Sequence, residues 1–114
     1  MAKYEAYLTG DFNAILQEIE AEILKGSISA TLEDGSDYRM GRVYCAVRVF
    51  ERYSMFGGNR VSLSVTLLGD GPRLFLSAIA AAGSQATFFK VNTLGEESFL
   101  NQIVPIIQRY QAPM

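Results

Sequence analysis

The chain has 114 residues, of which 49% are hydrophobic and 19% charged, and its net charge is −2. This composition excludes intrinsic disorder, and the length fits a single domain over residues 1–114. Histidine is absent and Cys45 is the single cysteine. The chain therefore lacks the residues for a histidine-based catalytic pair, an intramolecular disulfide or a standard zinc site.

The N-terminal sequence MAKYEAYLTG has no apolar run of the kind that forms a secretory signal. The longest nearly apolar run, residues 74–82, is about half of the roughly 20 residues that a membrane helix requires. We therefore expect a cytoplasmic protein that does not span a membrane.

The first two predicted elements are a strand and an amphipathic helix. Residues 3–9 alternate in polarity, which is typical of a half-buried strand. The following segment has the apolar stripe of a helix, formed by Phe12, Ile15, Leu16, Ile19, Ile23 and Leu24. Asp11 is predicted to cap its start and Gly26 to end it.

Three alternating segments follow and predict an antiparallel meander with one wet face. The first covers residues 27–33, and the sequence DGSD at 34–37 predicts the hairpin turn after it. In the second segment we expect Val43, Cys45, Val47 and Val49 to point into the core. In the third, residues 59–68, the predicted inward side chains are Val61, Leu63, Val65 and Leu67.

The sequence GDGP at 69–72 predicts the next hairpin, and RLFLSAIAAAG at 73–83 predicts the strand after it. Only Ser77 is polar in residues 74–82, so this strand lacks the polar side of a sheet that faces water. Something must therefore cover Phe75 and Ile79. The candidates are the chain's own segment 86–91 with Phe88 and Phe89, a second subunit, or a ligand.

The end of the chain predicts a second helix. QATFFKV, residues 85–91, is compatible with a continuation of the preceding strand past Gly83 or with a short extra strand. Thr93 and Glu96 have the spacing of a capping box, and Pro105 predicts a kink or break in the helix near residues 101–105.

The predicted fold class is α+β with the order β-α-β-β-β-β-α, a curved antiparallel sheet with two helices packed on one face. This order resembles the TATA-binding-protein-like and helix-grip folds. The resemblance concerns the order of elements and carries no function.

Candidate polar sites are few. Cys45 is predicted to lie in the core, where a thiol is unreactive. The row formed by Arg42, Tyr44, Arg48, Phe50 and Arg52 is predicted to face outward and is a candidate site for an anionic partner, because arginines and aromatic rings bind phosphates and bases. The acidic net charge argues against a nucleic acid as that partner.

The stretches KYEAYLTGDF and GSQATFFKVNTLGEESFL resemble a small bacterial family of about this length that has no assigned function. The resemblance covers nearly the whole chain and implies no catalytic, cofactor-binding or metal-binding residues.

The leading hypothesis is a non-enzymatic interaction module that forms a homodimer through the apolar second sheet face around Phe75, Ile79, Phe88 and Phe89. The second hypothesis is a helix-grip pocket for a small apolar or amphipathic ligand, between the sheet and the second helix, with Tyr110 or an arginine holding the polar end. We expect no cofactor.

Overall fold

The computed structural model describes residues 1–53, 60–82 and 89–112, and for residues 89–94 it describes the backbone alone. The predicted α+β class and element order are confirmed, with the last helical segment divided in two. The elements are β1 (Ala2–Thr9), α1 (Phe12–Lys25), β2 (Thr31–Met40), β3 (Val43–Tyr53), β4 (Arg60–Asp70), β5 (Arg73–Ala82), α2 (Phe89–Asn101) and α3 (Val104–Tyr110).

The strands form one antiparallel sheet in the order β1-β5-β4-β3-β2. β1 pairs with β5, and Tyr7 lies opposite Phe75. β5, the strand that lacks a polar side, is therefore internal to the sheet. The edge strands of the sheet are β1 and β2.

Two short hairpins join β2 to β3 and β4 to β5. Gly41 and Gly71 have φ values of 59° and 61° and are the first residues of the two turns, a conformation that glycine adopts without strain. The hairpin predicted at residues 69–72 is confirmed. The turn predicted at DGSD is wrong, because Asp34 to Asp37 lie within β2, opposite β3.

The predicted ends of α1 are confirmed. Asp11 caps the helix, since its carboxylate accepts a hydrogen bond from the backbone nitrogen of Ala14 at 2.9 Å. Gly26 is the C-cap of the helix, and its backbone nitrogen donates a hydrogen bond to the carbonyl of Glu22.

The predicted break at Pro105 is also confirmed. α2 ends at Asn101 and α3 begins at Val104, with the proline in its first turn, where the missing backbone donor costs little. The capping box at Thr93 and Glu96 is wrong because α2 begins at Phe89, so both residues lie inside the helix. The strand considered for residues 85–91 is wrong for residues 89–91, which are helical, and residues 85–88 lie outside the described part.

The three helices pack on one face of the sheet and share one buried cluster with it. The helices contribute Ile15, Leu16, Ile19, Ile23, Phe99, Leu100, Ile106 and Ile107, and Ile103 joins from the turn between α2 and α3. β4 supplies the four side chains predicted to point inward, Val61, Leu63, Val65 and Leu67. Among the described residues, no helix is long and apolar enough to cross a bilayer.

Candidate interaction face

Strand alternation gives the sheet a second face, opposite the helices. In β5, Leu74, Leu76, Ala78 and Ala80 are buried under the helices, so the intervening side chains point to the other side. We call that side the open face. Its central part consists of four register rows of five residues each, and within the described residues no helix packs on it.

The predicted orientation of β3 is wrong. Phe50 and Ala46 are fully buried on the helix side, opposite Leu63 and Leu67 of β4. The side chains predicted to point into the core, Val43, Cys45, Val47 and Val49, therefore lie on the open face. Cys45 is half-buried there and is not a core residue.

β3 can place its arginine-bearing row on the helix side because the guanidinium groups find polar partners there. Arg48 donates from Nε to Glu20 of α1 at 2.8 Å and pairs with Asp37 of β2 at 2.9 Å. The guanidinium of Arg52 lies 4.4 Å from the centre of the Phe99 ring and donates to Gln102.

One row of the open face is apolar or aromatic across all five strands. We call it the apolar stripe, and it consists of Tyr7, Phe75, Leu68, Cys45 and Tyr38. The rings of Tyr7 and Phe75 lie 5.3 Å apart. Leu68 is 42% exposed and the two tyrosines are 65% and 64% exposed, so the stripe is accessible along its length.

Phe75 and Ile79 lie on the open face, as the alternation predicts, and both are half-buried by their neighbours. The other two candidate residues do not join them in the described part of the chain. Phe88 and the side chain of Phe89 lie outside it, and the backbone of residue 89 begins α2. α2 packs on the opposite side of β5 and does not cover Phe75.

The other central rows of the open face combine hydroxyl-bearing, aliphatic and charged side chains. Ser77 donates to Glu5 at 2.8 Å, and the outer strands carry Lys3 on β1 and Asp34 on β2. Among the described residues, no three acidic or thiol side chains cluster to hold a metal ion.

Of the candidate anionic-partner row, Tyr44, Arg48, Phe50 and Arg52 lie on the helix side of β3, and Arg42 lies in the turn before this strand with its side chain exposed. The arginines of the row have protein partners, and Arg42 pairs with Asp70 at 2.7 Å. Burial lowers the pKa of Arg48, but its hydrogen bonds to Glu20 and Asp37 raise that pKa above the usual value overall. Binding of an anion by this row stays a prediction.

A groove opens where the start of α1 faces the β2–β3 hairpin. Its volume is about 800 Å³. Its lining residues are Gly10, Asp11, Phe12, Asn13, Asp37, Tyr38, Arg39, Tyr44, Cys45, Gly71 and Pro72. The rings of Phe12 and Tyr44 are 5.8 Å apart, and the guanidinium of Arg39 lies 5.0 Å from the Tyr44 ring.

The groove has a different lining from the ligand site predicted beside the second helix, since no residue of α2 or α3 is among its lining residues. There, Phe99 and Ile107 join the buried cluster, and the Tyr110 hydroxyl donates to Glu18 at 2.7 Å. This hydrogen bond raises the pKa of Tyr110 above the usual value for a tyrosine. Tyr110 is therefore engaged with α1 through its polar atom.

The sequence contained a signal for the open face that alternation alone did not resolve. β3 has a row of valines beside a row in which Ala46 and Phe50 alternate with arginines, and both rows of β5 are apolar apart from Ser77. This pattern indicates apolar side chains on both faces of these two strands. Tyr7 and Leu68 carried no such signal, because the residues two positions before and after each of them, on the same face of the strand, are polar.

These features define an α+β protein built on an antiparallel sheet with helices on one face and an open, partly apolar second face. The chain belongs to the family described as "Family of unknown function (DUF6054)", whose model matches residues 1–111. The predicted membership in a family without an assigned function is confirmed. No curated protein and no solved structure matches the chain.

Proposed function

We propose that this protein is a cytoplasmic, non-enzymatic interaction module that forms a homodimer through its open face. The observation that carries the proposal is the apolar stripe. Exposed apolar surface that is continuous across five strands is unusual on a monomer and is typical of a surface with a protein partner.

The size of the open face fits a dimer. Its four central rows contain twenty residues. Stable interfaces use about 20–30 residues a side and bury about 800 Å² on each partner. A second copy of the same sheet therefore matches the face in extent.

Neither edge strand of the sheet is well suited to pairing with a strand of a second copy. The open face is therefore the more suitable surface for the proposed dimer. β2 contains a bulge at Glu33 and carries Asp34 and Asp37, features that oppose strand addition. The outer edge of β1 is partly occupied, since the backbone nitrogen of Ala112 donates to the carbonyl of Tyr7 at 2.8 Å.

The proposal is tested by light scattering on wild type and on Phe75→Asp. We expect twice the chain mass for wild type and the monomer mass for the variant, because a carboxylate cannot be buried unpaired in the interface. Leu68→Asp is a second variant that introduces the charge at a side chain already exposed in the monomer.

Gln17→Asp on the exposed side of α1 is the matched control, and we expect it to remain dimeric. Circular dichroism shows whether each variant is folded. A wild-type chain that is monomeric up to its solubility limit contradicts the proposal.

A second candidate function is the binding of a small apolar or amphipathic ligand, and the groove at the start of α1 favours it. Its volume is in the range of small-molecule sites. Its charged groups have partners in the protein: Asp11 caps α1, Asp37 pairs with Arg48, and Arg39 donates to the carbonyl of Gly41. The aromatic rings of Phe12 and Tyr44 are then the groups to contact a ligand.

Native mass spectrometry of freshly purified protein tests this candidate. We expect a bound species that is lost in Tyr44→Ala and retained in Tyr53→Ala, whose exposed ring lies outside the groove. Repeated absence of any bound species in wild type contradicts it.

A further inference from the structure

We propose that the two copies are related by a two-fold axis that runs parallel to β4, so that β4 of one copy faces β4 of its partner. This inference rests on the proposed homodimer and adds the arrangement of the two sheets. It also assigns Lys3 and Asp34 as the residues that fix this arrangement.

Only two arrangements are compatible with aligned packing of identical sheets face to face, since strands then lie within about 30° of each other. An axis parallel to the strands places each register row on the same row of the partner and reverses the strand order. An axis perpendicular to the strands places each strand on itself and reverses the order of the rows.

The parallel axis matches the apolar stripe with itself. Phe75 faces the partner's Cys45, and Leu68 faces the partner's Leu68, because β5 and β3 lie on either side of the central strand β4. At the edges, Tyr7 faces the partner's Tyr38. Every contact along the stripe is then between apolar or aromatic side chains.

The same axis also matches the row that contains Ile79. Ile79 faces the partner's Val49, and Lys3 faces the partner's Asp34. Both charged residues lie on edge strands, at the rim of the interface, and the symmetry produces this contact twice. Opposite charges therefore meet in this row. In the row of Thr9, Arg73, Asp70, Val43 and Met40 the same axis brings Asp70 to the partner's Asp70, but each Asp70 already pairs with Arg42 of its own chain at 2.7 Å.

The perpendicular axis with comparable overlap runs through the row of Glu5, Ser77, Thr66, Val47 and Ser36. Phe75 would still meet an apolar side chain, the partner's Ile79. However, Leu68 would face the partner's Ser64, Tyr38 the partner's Asp34, and Glu5 the partner's Glu5. This arrangement buries apolar groups against polar ones and brings two carboxylates together.

Charge exchange distinguishes the two arrangements. We expect Lys3→Glu and Asp34→Lys each to weaken the dimer roughly tenfold, since each places like charges together at two symmetric contacts. The double variant restores the opposite charges and should dimerise within about threefold of wild type. Analytical ultracentrifugation at low salt measures the dissociation constants.

Lys25→Glu is the matched control, because it makes the same charge change on α1, away from the open face. Weakening in both single variants without recovery in the double variant overturns the parallel axis. A stronger dimer for Glu5→Gln, without any effect of the exchange, supports the perpendicular axis instead and also overturns the inference. A monomeric wild type contradicts the homodimer itself and is thereby distinguished from a wrong axis.

Discussion

At the scale of single residues, Glu96 illustrates how one buried carboxylate joins three parts of the fold. Glu96 is buried, with 4% of the residue's surface exposed. One carboxylate oxygen accepts from the backbone nitrogen of Ala82 at 2.9 Å, and the other pairs with the amino terminus at Met1 at 2.6 Å. Glu96 therefore connects α2 with the end of β5 and the start of β1.

We expect Glu96→Ala to lower the free energy of unfolding by about 1–3 kcal/mol, because it leaves a backbone donor and an ammonium group without their acceptor. Glu96→Gln should have a smaller effect, since its amide oxygen can still accept from Ala82. Urea denaturation measures both.

Glu97→Ala is the control, because Glu97 is exposed and its removal should change stability by less than about 0.5 kcal/mol. Equal effects at the two positions would show that the contacts of Glu96 contribute nothing to stability.

At the scale of elements, the break between α2 and α3 follows from one residue and its surroundings. Pro105 has no backbone hydrogen to continue α2, and the turn at residues 102–103 is closed by hydrogen bonds to the carbonyls of Phe99 and Leu100. The change in direction lets α3 bury Ile106 and Ile107.

We expect Pro105→Ala to lower the free energy of unfolding by about 0.4–1 kcal/mol, because alanine gives the unfolded chain more conformations while the buried isoleucines keep the break in place. Urea denaturation measures the change. An increase in stability would instead indicate that the proline strains the junction and that a continuous helix fits the same space.

The sheet shows why β4 was predictable and β3 was not. β4 alternates strictly between aliphatic and hydroxyl side chains from Val61 to Leu67, so one face is clearly preferred for burial. β3 has valines on one row and Ala46 and Phe50 on the other. Its orientation is decided by pairing with β4 and by acceptors on α1 and β2 that lie far away in the sequence.

The end of β2 and the start of α2 were mispredicted for similar reasons. Asp34-Gly35 has the composition of a hairpin turn, but β3 is long enough to pair with β2 as far as Met40, and the chain turns at Gly41 instead. Phe89 to Val91 are strand-like by composition, yet they continue into a helix whose later residues bury Phe99 and Leu100. In both cases tertiary contacts override a local preference.

At the scale of the whole molecule, the protein has two layers, helices and sheet, and measures 46 × 29 × 23 Å. The proposed dimer adds a second sheet and a second helix layer, which gives a four-layer assembly with the valines of β3 in its interior. The groove was not predictable, because it combines segments around residues 11, 38, 44 and 71 that meet only in the folded chain.

The thiol of Cys45 reports on this assembly. In the proposed dimer it lies within the interface, so we expect alkylation of wild type by iodoacetamide to slow as protein concentration rises. In Phe75→Asp the rate should not depend on concentration. Mass spectrometry follows the reaction, and a concentration-independent rate for wild type would be inconsistent with Cys45 lying in a dimer interface.

The bulge in β2 has a consequence for which side chains reach each face. Leu32 lies opposite Phe50 on the helix side, and Glu33 is the extra residue, so Asp34 follows opposite Val49. The extra residue shifts the alternation of the strand by one position. Tyr38 and Met40, which lie an even number of positions after Leu32, therefore point to the open face and not to the helix side. The bulge thereby lets one edge strand supply apolar side chains to both faces of the sheet. A bulge placed after Met40 instead would turn Tyr38 toward the helix side and shorten the apolar stripe by one strand.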